Sequence, residues 1–513
     1  MSRKQRIIIS ITGIVLVSLI LIGLTYGYYL TKIKGNANSK SISVTTANLL
    51  LEYADVNDEL ITDSAVEPGK TWTKTFVATN KGNKTVTYGV ALENVVNQFE
   101  RKDDIVYTLD CKQYSKTGFS IDKTNKTVTG TISGTCNGVS DETTFPSIGT
   151  ILVENDIADD KAQVYTLTIT YKEMNVDQSV DMNKTFNAKA NIVDPNNFKP
   201  YGTNTLATAI IDSAKTAASS SDATRTIYQE TPTTTPGQAI STETEKTLSK
   251  TQDDYGDSYY FRGNVVDNFV NYAGMCWKIV RIEGDGSTKL ILEDRSAECN
   301  SSLYTGSWDN GSTVAFGYDS NYKSDFLNYS GGLSDSLKSF QTSLSTKVGT
   351  GESLSDYLKV DDWCYDYNVV STDSEGNQYY SAYKRIYTDK NPSLICTGTK
   401  LNKYKDNTDM YVGTLTADEM SFAGATGTSN DTHYLMNSYA KSNSLSWWGL
   451  SPSHYDAKNS MDEAFLLNYN GSLYDNVLIF SDYYGCSRPA VTLLSNIQIS
   501  SGDGTQQNPY IVK

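Results

Sequence analysis

Few residues of this sequence have the types and spacing that catalysis or metal binding requires. The 513-residue chain has only two histidines, His433 and His454, and none of the short motifs that mark a serine nucleophile, a zinc protease helix or a phosphate-binding loop. His454 follows Pro452 and Ser453 with no acidic or thiol partner at a recognisable spacing, so we interpret it as a surface residue. The sequence therefore predicts no catalytic residue, no metal site and no cofactor.

Residues 447–494 have the composition of a binding surface. Trp447 and Trp448 supply apolar area at one end, and Arg488 at the other can bind a carboxylate or several carbonyls, so we expect these three to form a framework. Tyr brings contact area at low entropic cost, and Asn and Asp bring hydrogen bonds. The alternatives are a solvated tyrosine face and tryptophans that serve only core packing. The predicted ligand contacts are Tyr455, Asn459, Asn468, Tyr469, Asn470, Tyr474, Asp475, Asn476, Asp482, Tyr483 and Tyr484.

Charge and aromatic content exclude several classes of protein. With 44 basic and 59 acidic side chains, the net charge is −15, which argues against nucleic acid or anionic lipid as the main partner. An aromatic content of 11% is enough to build a folded core. Of the 36 tyrosines, 25 lie from Tyr255 onward, which indicates either a recognition surface or the preference of Tyr for strands.

The N-terminal region predicts a membrane anchor. Residues 7–31 are uncharged and flanked by basic residues, and their length spans a hydrocarbon core of about 30 Å. We expect residues 1–6 to form a cytoplasmic tip, residues 7–31 a single transmembrane helix in the cell membrane, and the bulk of the chain to be extracellular. The alternative is a cleaved signal peptide, for which Gly35-Asn36-Ala37 offers a cleavage site.

Seven cysteines suit an oxidising compartment. The expected pairs are Cys111 with Cys136 and Cys364 with Cys396. Cys276 is interpreted as a small buried hydrophobic residue, and its pairing with Cys299 or Cys486 is left open because the number of cysteines is odd.

The segment from 41 to 195 reads as antiparallel strands separated by turns, which predicts two sheets packed face to face in a sandwich of immunoglobulin-like size. Its stretch VEPGKTWTKTFVATNKGNKTVTYGVAL resembles the stalk and fibre-forming β-sandwich modules of exported Gram-positive proteins. An inert spacer is the simpler interpretation of this unit.

The rest of the chain divides into a connecting segment and a second unit. Residues 203–254 predict a helix capped by Thr203 and Asn204, followed by a Ser/Thr-rich linker or surface strap. Residues 255–513 combine strands with a helix of apolar spacing near 333–344 and a short helix opened by a capping box at Thr416.

The last hundred residues carry a family resemblance. A T-x-x-E helix at 416–422, WWGLSPS, a hairpin at 471–474 and a closing GxxRPAVTL resemble C-type-lectin-like domains related to formylglycine-generating enzymes, found in exported proteins of gut Firmicutes. The resemblance implies a compact α+β fold with a ligand face, which in some relatives is varied by diversity-generating retroelements. The enzymes hold copper with a cysteine pair, whereas only Cys486 lies in this region, so no catalytic residue is carried over.

The sequence as a whole predicts an α+β, mainly β protein: an N-terminal transmembrane helix, an antiparallel β-sandwich and a C-type-lectin-like domain. The expected function is non-covalent binding of an extracellular glycan or protein. A structural surface or fibre subunit is the alternative, and an extracellular enzyme of formylglycine-generating type is the third interpretation.

Overall fold

The protein is mainly β, as predicted, and its strands form several sheets. The computed structural model describes residues 41–42, 51–56, 68–97, 99, 101–178, 181, 186–202, 205–240, 244–309, 312–349, 351–428, 432–480 and 485–512. The residues predicted to form a cytoplasmic tip, 1–6, and a transmembrane helix, 7–31, lie outside this described part. Within them, no helix combines the length and apolar character that a membrane span needs.

The N-terminal unit contains two main sheets. One has seven strands in the order β1-β2-β3-β11-β5-β8 with β9 also on β5, the other has the order β10-β4-β12, and β6 and β7 form a hairpin. The strands are β1 Ser41–Ile42, β2 Leu51–Asp55, β3 Thr71–Asn80, β4 Val86–Asn97, β5 Ile105–Ser115, β6 Ser120–Asp122, β7 Thr127–Thr129, β8 Ile132–Thr135, β9 Val139–Thr144, β10 Thr150–Ile157, β11 Lys161–Tyr171 and β12 Phe186–Val193.

One hydrophobic core joins these two sheets. Phe76 on β3 and Leu167 on β11 belong to the same buried cluster as Val90 on β4 and Ile157 on β10. Strand β11 pairs antiparallel with both β3 and β5. Burial alternates along β11, and every second side chain points toward that cluster. The unit therefore buries its apolar residues between the sheets.

The C-terminal unit contains a ten-stranded and a five-stranded sheet. The first runs β13-β14-β15-β17-β16-β29-β28 with β18, β27 and β23 attached, the second runs β20-β21-β24-β25-β26, and β19 pairs with β22. The strands are β13 Ile227–Tyr228, β14 Lys246–Asp253, β15 Gly256–Gly263, β16 Phe269–Tyr272, β17 Met275–Ile282, β18 Thr288–Asp294, β19 Trp363–Tyr365, β20 Val369–Thr372, β21 Gln378–Tyr380, β22 Thr399–Leu401, β23 Val412–Gly413, β24 Trp447–Asp456, β25 Met461–Leu467, β26 Leu473–Leu478, β27 Ala490–Leu493, β28 Ile499–Ser501 and β29 Tyr510–Val512.

In the described part of the chain, five short or medium α-helices accompany these sheets. The helix α2 carries Leu333, Leu337 and Leu344 on its buried side, as the apolar spacing predicts, and Thr416 with Glu419 forms the expected capping box of α4, which ends at Gly424. The helices are α1 Leu206–Ser220, α2 Leu333–Ser345, α3 Ser381–Tyr383, α4 Ala417–Ala423 and α5 Ser438–Asn443. A π-helical turn, Lys384–Thr388, extends α3, and 3-10 turns occupy Lys102–Asp104, Pro195–Asn197 and Leu354–Asp356.

The predicted linker at 203–254 is wrong in its second half. Strand β14 pairs with β15 along its whole length and buries Leu248 completely, so residues 246–253 belong to the ten-stranded sheet. The helix α1 contributes Leu206 and Ile210 to the same core, and its N-cap is Thr205, whose hydroxyl accepts from Thr208 N. Thr203 and Asn204, the expected cap, lie outside the described residues. The C-terminal unit therefore begins at α1.

The start of α1 contacts the segment that precedes β28. Leu206 N donates to Ile497 O at 3.0 Å, and Thr205 forms an antiparallel bridge with Gln498. Strand β29 then lies parallel to β16 inside the sheet.

Three disulfides occur among the described residues. Cys111–Cys136 and Cys364–Cys396 are the two expected pairs, with Cα atoms 5.4 and 5.6 Å apart. The third, Cys276–Cys299, corrects the interpretation of Cys276 as a plain hydrophobic residue. Cys486 is the free cysteine of the described part and is buried.

Candidate ligand-binding site

The predicted ligand residues lie on and beside the last strands of the five-stranded sheet. β24 pairs antiparallel with β25, and β25 with β26, so residues from three segments come together at one edge. Asp456 closes the connection between β24 and β25 by accepting from Lys458 N at 2.9 Å. The connection between β25 and β26 is the turn 468–472, where Asn468 N donates to Ser472 O at 2.8 Å. We call this edge, residues 454–478, the ligand face.

The predicted framework residues are buried beneath this edge. Trp447 and Trp448 are 1% and 0% exposed, and Trp448 Nε1 donates to Val314 O at 2.7 Å. A side chain at Gly485 would place its Cβ 2.3 Å from that same Nε1, so only glycine fits there. The position of the Trp448 indole is therefore fixed by this hydrogen bond and by close packing against Gly485.

Arg488 is completely buried, and each of its three side-chain nitrogens donates a hydrogen bond. Its guanidinium donates to Leu292 O at 2.8 Å, to Leu435 O at 2.6 Å and to Glu293 Oε2 at 2.8 Å. The rings of Trp308 and Trp447 lie 5.1 and 5.2 Å from it. Burial lowers the pKa of Arg488, which Glu293 partly offsets. The Arg488 side chain, just before β27, thus contacts residues of β18 and the first residue of β24.

The predicted contact residues differ in how much of each side chain is exposed to solvent. Tyr469 and Tyr474 are 43% and 39% exposed, Asn459 and Asn476 are also exposed, and Tyr455, Asn468, Asn470 and Asp475 are half-buried. Asp482, Tyr483 and Tyr484 lie outside the described residues, so their prediction stays open.

Several of the predicted asparagine side chains already form hydrogen bonds with neighbouring residues of the protein. Asn468 Oδ1 accepts from Ser446 Oγ at 2.9 Å, and Asn470 Oδ1 accepts from Ser472 N at 3.0 Å. The ring of Tyr455 has Lys323 Nζ 3.0 Å from its centroid. Of the residues placed here, Tyr469, Tyr474 and Asn476 offer the most accessible side chains.

The interpretation of His454 as a surface residue without an acidic partner is wrong. His454 pairs with Glu463 across β24 and β25, its Nε2 lies 3.3 Å from Glu463 Oε2, and its ring stacks on Tyr379 with centroids 5.6 Å apart. The sequence holds no sign of this pairing, because it depends on strand register and on bulges in β24.

The ionisable groups around His454 are shifted by burial. Burial raises the pKa of Glu463 to about 7, and the nearby charges of Asp456 and Asp475 push it in the same direction. Burial also raises the pKa of Asp475 and lowers the pKa of His454. Near neutral pH this part of the ligand face therefore changes its charge over a narrow range.

A row of tyrosines supports the ligand face from the side of α3. Tyr379, Tyr383 and Tyr387 follow each other at intervals of four residues, with successive ring centroids 4.6 and 5.3 Å apart. The hydroxyl of Tyr387 donates to Leu473 O at the start of β26. Sequence reasoning missed this row, although the i, i+4 spacing of aromatic residues in 379–387 was a usable signal.

A separate cleft of about 580 Å³, including its open mouth, lies beside the Cys364–Cys396 disulfide. Its walls contain buried ion pairs, among them Arg281 with Asp253 at 2.6 Å and Arg385 with Asp418 at 2.7 Å. These charges already pair with one another, so we interpret the cluster as a structural ion-pair network.

No group of three or more His, Cys, Asp or Glu side chains is placed to hold a metal ion in the described part of the chain. Compared with known proteins, the sequence matches no family model, and a search of curated proteins finds no match.

Proposed function

We propose that this chain is a membrane-anchored extracellular surface protein that binds a glycan non-covalently through the ligand face of its C-terminal unit. In this proposal residues 7–31 anchor the chain, residues 41–195 form an immunoglobulin-like stalk, and residues 205–512 form a C-type-lectin-like domain. The fold assignments rest on the sequence resemblance, and they are compatible with the sheets of both units.

The observation that carries the proposal is the exposure of Tyr469 and Tyr474 on the turn and strand that follow β25, whose Leu466 pairs with both Trp448 and Tyr474. Exposed rings on a rigid support lose little entropy when a ligand covers them. Asn476, two residues after Tyr474 on β26, is exposed on the same face of the strand and supplies a polar group. Flat rings next to hydrogen-bonding groups suit sugars, which present both apolar faces and hydroxyls.

The experiment is a glycan-array screen of the full chain in detergent, followed by titration of the best glycan. A Tyr469→Ala, Tyr474→Ala double variant should lose at least tenfold in affinity and keep its melting temperature. Tyr322→Ala is the matched control, because Tyr322 is 46% exposed and lies outside the ligand face. Unchanged affinity in the double variant, or no glycan bound by the parent chain, would contradict the proposal.

A structural subunit is the second candidate, and one observation favours it. Strand β8 is exposed at all four positions, including Ile132 at 59%, and it lies at the end of the seven-stranded order. Exposed edge strands can pair between molecules. Concentration-dependent polymers in sedimentation experiments, abolished by Ile132→Lys, would support this function instead.

A further inference from the structure

The two units are connected by residues 194–202, which we call the connector. It begins with the 3-10 turn Pro195–Asn197, and its two prolines each fix one backbone dihedral. Near its end, Lys199 Nζ lies 2.9 Å from Asp212 Oδ1, and Gly202 O accepts from Thr208 Oγ1 at 2.7 Å. Since Asp212 and Thr208 belong to α1, the first helix of the C-terminal unit holds the connector in place.

The ring of Tyr201 in the connector packs against the C-terminal unit. Its centroid lies 6.4 Å from that of Tyr259 in an edge-to-face arrangement. In the turn between β17 and β18, a Cβ at Gly286 would lie 2.6 Å from Tyr201 Cδ1, so the ring rests directly on this glycine. Burial raises the pKa of the Tyr201 hydroxyl. The connector is therefore part of the packed structure.

The N-terminal unit contacts the connector as well. Gly149, just before β10, approaches it so closely that a Cβ there would lie 2.2 Å from Pro200 O. A cleft of about 240 Å³, including its open mouth, has Ile148 of the N-terminal unit, Tyr201 of the connector and Asn496 of the C-terminal unit in its wall. Residues of both units and of the connector thus line one shared space.

Lys102 makes a direct contact between the two units. It lies in the 3-10 turn before β5, and its Nζ is 4.7 Å from the centroid of the Tyr255 ring, between β14 and β15. Burial lowers the pKa of Lys102, and the charged groups that act on it most strongly all belong to the C-terminal unit: Asp285, Lys359, Asp253 and Lys400. The Lys102 ammonium is therefore enclosed by the C-terminal unit.

We propose that these contacts form a fixed junction, so that the two units move as one rigid body and the ligand face keeps one orientation relative to the N-terminal unit. Domains joined by an exposed linker usually move relative to each other. Here the surface around Tyr255 and Gly286 is an interaction surface, and its partner is the chain's own N-terminal unit with the connector. None of these contacts lies in the ligand face, so this inference does not depend on glycan binding.

The test measures the distance between two nitroxide labels by pulsed electron paramagnetic resonance, in the full chain in detergent. Thr124→Cys places one label in the exposed turn between β6 and β7, and Ser374→Cys places the other in the exposed turn between β20 and β21. Because Cys486 is buried, the label reaches only the introduced thiols. The pair Ser339→Cys and Ser374→Cys, inside the C-terminal unit, gives a reference width. We expect one distance distribution between the units, no wider than this reference.

Two variants disturb the junction in different ways. Lys102→Ala combined with Tyr201→Ala removes both side-chain contacts and should widen the distribution by about twofold or more. Gly149→Val inserts a side chain against Pro200 O and should have the same effect. Lys84→Ala, exposed in the turn between β3 and β4, is the matched control and should leave the width unchanged. Circular dichroism and the reference pair show that each variant is folded.

Two results would overturn the proposal. A parent distribution about twofold or more wider than the reference would mean that the units move independently. A distribution that stays narrow in both the double variant and Gly149→Val would mean that the contacts described here do not hold the units together. Neither measurement uses a glycan, so the junction and the proposed function fail separately.

Discussion

His454 Nε2 and Glu463 Oε2 lie 3.3 Å apart across the pairing of β24 with β25. The imidazole also stacks on Tyr379. It therefore contacts both the Tyr379 ring and the buried carboxylate of Glu463 on β25. The contact places a titrating group inside the sheet whose edge presents Tyr474. The electrostatics of the ligand face are therefore linked to the stability of the sheet beneath it.

Replacing Glu463 by Gln should raise the free energy of unfolding at pH 8 by about 2 to 4 kcal/mol. The pKa of Glu463 is about 7 in the folded chain and about 4.3 in an unfolded one. Between these values the folded state binds the extra proton, so stability falls as the pH rises through this window and the full cost is present above it. Urea denaturation of both proteins at pH 8 and pH 4.5 measures the effect.

The gain should fall below about 1 kcal/mol at pH 4.5, where the folded state holds Glu463 protonated and the unfolded state, with a pKa of about 4.3, holds it less than half protonated. The control Glu375→Gln, in the exposed turn between β20 and β21, should change stability at neither pH. A Glu463→Gln variant that is less stable than the parent at both pH values would show that the amide disturbs packing rather than removing a buried charge.

Arg488→Met should destabilise the C-terminal unit by about 3 to 5 kcal/mol. The substitution removes three hydrogen bonds and leaves Glu293 without one of its buried cationic partners, Lys278 remaining 3.0 Å away. Chemical denaturation followed by tryptophan fluorescence reports it, since Trp308 and Trp447 flank the guanidinium. A loss below about 1 kcal/mol would be at odds with the fully buried geometry.

Trp448→Ala should cost about 3 to 5 kcal/mol of stability, because it empties a site that is 0% exposed. Trp72→Ala offers a comparison in which the same side chain is half-buried on β3 and the expected cost is smaller. Thermal unfolding of both variants gives the difference directly. If both variants lose the same free energy of unfolding, the cavity left by the Trp448 ring must collapse when the ring is removed.

Thiol labelling should find one reactive cysteine, and only after denaturation. Burial raises the pKa of Cys486 to about 12 and keeps it from reagents, while the other six cysteines are in disulfides. Mass spectrometry without reduction should therefore show a single modified thiol at Cys486 in urea and none in buffer. Labelling of Cys276 or Cys299 in urea would contradict the third bridge.

Local sequence signals predicted the elements whose determinants lie close together in the chain. The capping box at Thr416 and the apolar spacing of α2 depend on neighbours three or four residues away, and both are in the structure. Arg488 was expected to bind a carboxylate or several carbonyls, and in the structure it binds one carboxylate and two carbonyls. These features need no knowledge of the tertiary fold.

The features that were missed depend on distant partners. Strand β14 reads KTLSKTQD, a polar composition that suggests a linker, and it is buried because β13 and β15 cover its two edges. Burial between β24 and β26 raises the pKa of Glu463, and Asp456 and Asp475 add to the shift; all three effects arise only after the strands pair. Register and burial, rather than residue type, decide both cases.

The contact of Leu206 with Ile497 bears on the folding of the C-terminal unit. The hydrogen bond from Leu206 N to Ile497 O joins two residues that lie almost a whole unit apart in the sequence, so its formation carries the entropy of closing that long loop. Contacts of such long sequence separation slow folding, so we expect α1 to dock late.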